Sequence, residues 1–153
     1  GRLCGAEVWA THRAAVGDVV QPIGAWVRRR IASCAAMTAG EYEAAKAHQR
    51  AAAAAFRAAM QQFDAMLLPC VPMPAITLEE IEEDSPVMSA FTRPANHLGA
   101  CALSLPAGFC DTGLPLAVQL MAKPFDEAAL FRLGHAFQAA TDWHLRAPDL
   151  TTG

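Results

Sequence analysis

Three short apolar runs constrain the fold of this chain most, because each has the length and composition of a buried β-strand. They cover residues 65–68, 100–105 and 114–121, and proline or glycine bounds each of them. A turn signal at residues 111–113 lies between the last two runs and predicts antiparallel strands joined by a short loop. Strands that are apolar on both faces need further strands and covering helices. We therefore expect an α/β fold, a mixed β-sheet with helices packed on it, whose sheet is incomplete within this chain.

Alanine-rich segments ahead of the first run predict three helices. One spans about residues 4–16, and a second begins near Pro22. The third begins at a capping box formed by Thr38 and Glu41 and extends to about Gln62.

A long loop, residues 69–94, follows the first apolar run. Its prolines and acidic residues predict irregular structure, and long loops are usually functional or mobile; they are Pro69, Pro72, Pro74, Glu79, Glu80, Glu82, Glu83, Asp84 and Pro86. A short helical turn is expected over residues 95–98 with Gly99 as its stop. Pro106 and Gly108 should end the second strand. A last helix should begin after Asp126, with an apolar stripe of Leu130, Leu133 and Phe137.

The charge balance argues against polyanionic partners. The formal net charge is −3, so no basic field attracts nucleic acid or an anionic membrane, and the arginines at 28–30 are interpreted as a solvated helix face. No apolar run approaches the roughly 18 residues of a membrane span. Five cysteines without a Cys-x-x-Cys pair predict free, mostly buried thiols in a reducing compartment. We expect a cytoplasmic protein.

The residues alone outline no complete active site. The histidines lack the spacing of a zinc site, so no metal is expected. A Cys70–His97 pair has no feature that would lower the thiol pKa. The serines and the two lysines, Lys46 and Lys123, have no Gly/Ser-rich turn to form an oxyanion hole. Gln119, within a predicted buried strand, is interpreted as a structural amide satisfied by internal partners.

Four motifs in a fixed order provide a more specific indication. Residues 29–42 contain Arg-Ile followed by Gly-x-Tyr; residues 63–69 read FDAMLLP; residues 92–99 read TRPANHLG; and residues 104–108 with 113–120 read SLPAG and GLPLAVQL. Together they resemble the C-terminal portion of the amidase signature family, across residues 28–149. Two positions depart from the family pattern: residues 99–102 read GACA where G-x-P-A is usual, and Ala117 replaces a common glycine.

The resemblance implies a hydrolase of carboxylic amide C–N bonds that uses a Ser-Ser-Lys triad and no metal or organic cofactor. The triad belongs to the N-terminal portion of the family domain. No position here matches its motifs, so no catalytic residue is assigned. The C-terminal portion completes the sheet and contributes walls of the substrate pocket. On that basis Phe91, Thr92 and Asn96 are candidate substrate-binding residues; the simpler interpretation is that Thr92 and Asn96 only cap and hold the loop.

Residues 1–153 are thus predicted to be a C-terminal segment of an amidase domain, inactive alone. The start at Gly1 within a predicted helix adds to the expectation of a longer chain. The expected partners are the N-terminal catalytic portion and a small-molecule amide substrate. The alternative is a catalytically dead stand-alone module that binds a ligand or a protein. The sequence leaves open the substrate, the choice between stand-alone amidase and amidotransferase component, and a homo-oligomer.

Overall fold

The computed structural model describes residues 2–18, 22–82 and 87–148, and its backbone contacts divide the chain into two compact units, residues 1–52 and 53–153. Each unit is treated separately below. The predicted loop residues Glu83, Asp84 and Pro86, together with Gly1 and Asp149, lie outside the described residues.

The first unit is helical, as predicted. Helix α1 spans Arg2–Gly17, α2 spans Ala25–Ala32, and α3 begins at Ala39 and continues into the second unit as far as Ala59. The capping box is present: the Thr38 amide donates to Glu41 Oε2 at 2.9 Å, and the Glu41 amide donates to Thr38 Oγ1 at 3.2 Å. These bonds satisfy amides at the start of α3 that no helical carbonyl can reach.

Two details of this unit differ from the sequence prediction. Helix α2 begins at Ala25 rather than near Pro22, with an extended Gly24 as its N-cap. The arginines at 28–30 do not form a simple solvated face, because Arg28 is half-buried and donates to backbone carbonyls at the end of α1. The guanidinium of Arg30 lies 5.9 Å from the centre of the Trp26 ring.

The second unit contains a three-stranded sheet. Strand β1 spans Met66–Pro69, β2 spans Cys101–Phe109 and β3 spans Pro115–Ala122. The order is β1-β3-β2, and both pairings are antiparallel. The α/β class and the antiparallel β2–β3 pair are confirmed. A parallel neighbour for a mixed sheet would have to come from outside these three strands.

Strand β2 continues past the residues expected to end it. Pro106 is tolerated because β2 is an edge strand of this sheet, where alternate amide groups point away from β3. A bulge lies between Pro106 and Gly108, and Gly108 has a φ of 130°. Pro106 and Gly108 thus bend the strand and do not end it.

Helix α5, Glu127–Ala140, packs on one face of the sheet. Its buried residues are Ala129, Leu130 and Gly134; the predicted stripe residue Leu133 is exposed. On β1 the alternation leaves Leu67 63% exposed. The expectation that this run is buried on both faces is therefore wrong for the described residues, because α5 lies over β2 and β3.

The predicted turn before β2 is a short helix, α4, spanning Arg93–Leu98. Gly99 ends it with a φ of 64°, as expected for a left-handed stop, and the Ala100 amide donates to the Ala95 carbonyl at 2.9 Å. Ala95 is buried and α4 contacts β2. The preceding loop contains 3₁₀ turns at Leu78–Glu80 and Val87–Ser89.

Candidate functional site

The three candidate substrate-binding residues lie at the start of α4. Thr92 is its N-cap residue and Asn96 is within it; both are exposed, whereas Phe91 is half-buried. The Thr92 hydroxyl donates to the Ser89 carbonyl at 3.4 Å and makes no capping bond to α4. The structure therefore brings all three residues into one short segment, with two polar side chains accessible from solvent.

The backbone of this segment is bound to the sheet by Gln119. Gln119 is in β3, is 5% exposed, and donates through Nε2 to the Phe91 carbonyl oxygen at 3.1 Å. The expectation that this amide finds an internal partner is confirmed. The residue that holds the segment was visible in the sequence only as a polar residue within an apolar run.

A second contact joins the loop to the same sheet face. Cys70 directly follows β1 and is 9% exposed, and its Sγ lies 3.0 Å from Ser104 Oγ on β2. Ser104 pairs with Gln119 across the β2–β3 ladder, so their side chains lie on one face. The described neighbour of the Cys70 thiol is thus Ser104, which the sequence reasoning did not connect with it.

The other thiols differ in their surroundings. All five cysteines are free, but only Cys70 is buried and Cys4 is exposed, so the expectation of mostly buried thiols is wrong. In the β2–β3 turn, Cys110 Sγ lies 3.0 Å from Thr112 Oγ1. This contact and nearby backbone amides lower the pKa of the Cys110 thiol.

The first unit contains a separate polar cluster around Glu7. Glu7 Oε1 accepts hydrogen bonds from Tyr42 Oη at 3.0 Å and from Lys46 Nζ at 3.3 Å. The bond to Glu7 raises the pKa of Tyr42. Lys46 is therefore engaged by a carboxylate on the surface of this helical unit, which is the arrangement of a structural ion pair.

Metal and membrane sites have no support in the described part of the chain. Within residues 2–18, 22–82 and 87–148, no three His, Cys, Asp or Glu side chains converge as metal ligands. None of the helices in those ranges is long and apolar enough to cross a membrane. An open depression of about 470 Å³ lies at residues 139–143, and the one charged side chain in its lining, Asp142, is already paired with Arg146 at 2.6 Å.

The comparisons with known proteins agree with one another. The amidase family model matches residues 14–131. The A subunit of glutamyl-tRNA(Gln) amidotransferase from Desulfatibacillum aliphaticivorans is 38% identical over 148 residues, which are 92% of this chain and 29% of that protein. The same subunit from Azotobacter vinelandii is 43% identical over 135 residues, 82% of this chain and 28% of that protein.

Solved structures show the same likeness. A crystal structure of an amidase superposes with a TM-score of 0.79 at 27% identity, over 91% of this chain and 34% of that one. The glutamyl-tRNA(Gln) amidotransferase A subunit of Thermotoga maritima gives a TM-score of 0.61 at 26% identity, over 90% and 33%. The chain thus spans about a third of the length of the relatives that it matches. With the family model covering most of its residues, this chain belongs to the amidase family.

Proposed function

We propose that this chain forms the C-terminal part of an amidase domain that hydrolyses carboxylic amide C–N bonds, with the Ser-Ser-Lys residues supplied by the N-terminal part. The observation that supports this most is a difference in coverage: the amidase model matches most of this chain, but the chain matches only a small part of its relatives. Residues 14–131 fit the amidase model, yet the chain corresponds to only 28–29% of two amidotransferase A subunits.

The side-chain contacts are in line with a supporting role. Amide hydrolysis by a serine needs a base within hydrogen-bond distance of the hydroxyl and donors for the developing oxyanion. The neighbour that the structure gives Ser104 Oγ is the Cys70 thiol, and Lys46 is paired with Glu7. Neither contact places a base beside a serine hydroxyl, as activation of a serine nucleophile requires.

The contribution of the chain to such a site would be a pocket wall. Phe91 offers an apolar ring, and Thr92 and Asn96 offer a hydroxyl and an amide that can orient a substrate carboxamide. Asn96 lies on α4, Thr92 is its N-cap and Phe91 precedes the N-cap. This segment is held by the burial of Ala95 and by the Gln119 bond to the Phe91 carbonyl. The substrate would be a small-molecule amide, and the names of the curated relatives favour an amidotransferase component over a stand-alone amidase.

A hybrid enzyme tests this proposal. The 153-residue chain replaces the matched segment of the Azotobacter vinelandii A subunit, and ammonia release from L-glutamine and benzamide is measured. We expect release by the hybrid, and none by the isolated chain or by the A subunit lacking the segment. Hydrolysis by the isolated chain that Ser104→Ala abolishes would overturn the assignment of catalysis to the N-terminal part.

The second candidate is a stand-alone, catalytically inactive binding module. The observation in its favour is that the described part of the chain has a sheet with helix α5 packed on it and a buried residue, Met121, with no exposed surface. It requires cooperative unfolding and no dye-binding apolar surface in isolation. A folded hybrid without activity, together with a cooperative isolated chain, would favour this candidate.

A further inference from the structure

The two ends of the long loop are attached to neighbouring residues of the sheet. At its start, Cys70 Sγ lies 3.0 Å from Ser104 Oγ. At its end, the Phe91 carbonyl oxygen accepts the bond from Gln119 Nε2 at 3.1 Å. Ser104 and Gln119 are direct partners across the β2–β3 ladder.

We infer that Ser104 and Gln119, called the anchor pair below, are positioning residues that fix where the segment with Phe91, Thr92 and Asn96 leaves the sheet. This inference rests on the proposed function, since it concerns the wall of the same pocket. It adds two residues that touch no substrate and act through the loop.

Burial supports a role for Gln119 beyond filling space. A primary amide in an apolar strand costs free energy unless its polar atoms are paired. Gln119 is 5% exposed, and its donor is directed at a backbone carbonyl 28 positions earlier in the chain. An apolar side chain of the same length would fill the volume and lose the attachment.

The register explains why both attachments occur at one place. Leu68, Gln119 and Ser104 form one row across the three strands. Cys70 lies two residues beyond Leu68 and therefore on the same face, and its amide donates to the Ala117 carbonyl at 3.2 Å. One cross-strand row thus contacts the loop both near β1, where the loop begins, and near α4, where it ends. We expect these two contacts to restrict the movement of α4 relative to β2.

Hydrogen exchange of the 153-residue chain tests the Gln119 attachment without requiring activity. Gln119→Met keeps the length of the side chain and removes the donor. We expect about fivefold faster exchange in peptides covering residues 87–98, the effect of losing one net hydrogen bond. Peptides of α5 should keep the wild-type rate, and Gln62→Met, at an exposed position, should change neither region. Unchanged exchange at residues 87–98 in a folded variant would overturn the inference.

Thiol labelling tests the Ser104 attachment and remains informative if Gln119→Met does not fold. Ser104→Ala is a small change at an exposed position, and we expect labelling of Cys70 by N-ethylmaleimide to accelerate about two- to fivefold. Cys4, which is exposed, is the internal reference. Equal Cys70 labelling in both proteins would overturn the role of Ser104.

The hybrid enzyme separates positioning from general stability. There Gln119→Met should raise KM for benzamide about fivefold and change kcat less than twofold, because a displaced wall weakens binding before it affects chemistry. A fall in kcat at constant KM would contradict a role in the pocket wall. An inactive hybrid would contradict the proposed function, and the exchange and labelling results would then decide on the anchor pair.

Discussion

Arg28 donates from Nη1 to the carbonyl oxygen of Asp18 at 2.9 Å, one residue beyond the end of α1. The same atom also donates to the Val16 carbonyl, and to that of Ala15 at 3.4 Å. The last carbonyls of a helix have no partner within it and carry its negative partial charge. The Arg28 guanidinium of α2 therefore provides hydrogen-bond donors for these carbonyls and offsets the negative partial charge at the end of α1.

Replacing Arg28 should destabilise the helical unit. We expect Arg28→Ala to lower the free energy of unfolding by about 1–2 kcal/mol, because a charged donor shared by several carbonyls is lost. Arg28→Lys should recover part of the loss, since an ammonium reaches fewer acceptors in the same geometry. Urea denaturation followed by circular dichroism measures the change. Arg13→Ala, at an exposed position of α1, should cost less than about 0.5 kcal/mol; equal effects of the two changes would contradict the contact.

Tyr42 is the one tyrosine of the chain, so its titration can be followed directly by tyrosinate absorbance. The hydrogen bond to Glu7 raises its pKa, because ionisation would break that bond and place two anions together. We expect Glu7→Gln to lower the pKa toward the ordinary value. Since the folded pKa is the higher one, the stabilisation from this bond is complete below about pH 10. It is lost as the pH rises through the folded pKa.

The control for this titration is Glu43→Gln. Glu43 acts on Tyr42 only through its charge, and this effect on the pKa of Tyr42 is the smallest of those that raise or lower it. It should therefore shift the titration less than Glu7→Gln does. Equal shifts would show that nearby negative charge in general, and not the Glu7 hydrogen bond, raises the pKa of Tyr42.

Cys110 should be alkylated faster than its ordinary pKa would allow. The contact with the Thr112 hydroxyl is the largest cause of the lowered pKa, and hydrogen bonds from backbone amides of the turn lower it further. We expect Thr112→Val to raise the pKa and slow alkylation by iodoacetamide near neutral pH, because the thiolate is the reactive species. Thr112→Ser keeps the hydroxyl and should keep the rate. Peptide mass spectrometry across a pH series gives both quantities, and an unchanged rate in Thr112→Val would remove the hydroxyl as the cause.

The proposed pocket wall can be tested in the hybrid enzyme. We expect Phe91→Ala and Asn96→Ala each to lower kcat/KM for benzamide about tenfold, the effect of losing about 1.4 kcal/mol of transition-state binding. Thr92→Ala should have a smaller effect, since its hydroxyl already donates to Ser89. Gln61→Ala, at an exposed position outside α4, should leave kcat/KM within about twofold. Wild-type kcat/KM in all three pocket variants would show that these residues only stabilise the loop and do not contact the substrate.

Local patterns in the sequence predicted most of the secondary structure. The capping box at Thr38, the stop at Gly99 and the β2–β3 pair depend on residues close together in the chain, so short-range rules suffice. The Arg28 contact is different, because it depends on where α1 ends relative to α2. Periodicity along a single helix contains no information about such a neighbour.

The same limit applies to the sheet and the candidate site. The run that forms β1 is apolar throughout, which predicts burial, but exposure of Leu67 depends on which strands α5 covers. For the site, Gln119 was identifiable as a buried amide that needs a partner. Ser104 lies opposite Gln119 because of the register of β2 and β3, and the Phe91 carbonyl reaches Gln119 because of the path of the loop before α4. Neither arrangement can be read from local patterns.

Helix α5 approaches the sheet closely at Gly134. A Cβ at this position would lie 2.8 Å from Leu103 Cδ2 and 3.4 Å from Leu105 Cδ2. Leu105 is buried and cannot move away freely in a packed interior. The half-buried Leu103 side chain would therefore have to shift to admit a side chain at this position, and glycine lets the helix lie this close to β2 without that shift.

Gly134→Val should lower the free energy of unfolding by about 2 kcal/mol, because overpacking of this size exceeds the gain in helix propensity over glycine. The matched control is Ala136→Val, which places the same side chain on an exposed position of α5 and should cost about 0.5 kcal/mol. Leu103→Ala combined with Gly134→Val should cost less than the sum of the two single changes, since the removed side chain makes room for the added one. Urea denaturation of the four variants gives these differences. Additive costs would show that Leu103 and Gly134 do not contact each other, and equal costs for the two valine variants would show that α5 does not lie against β2 at this point.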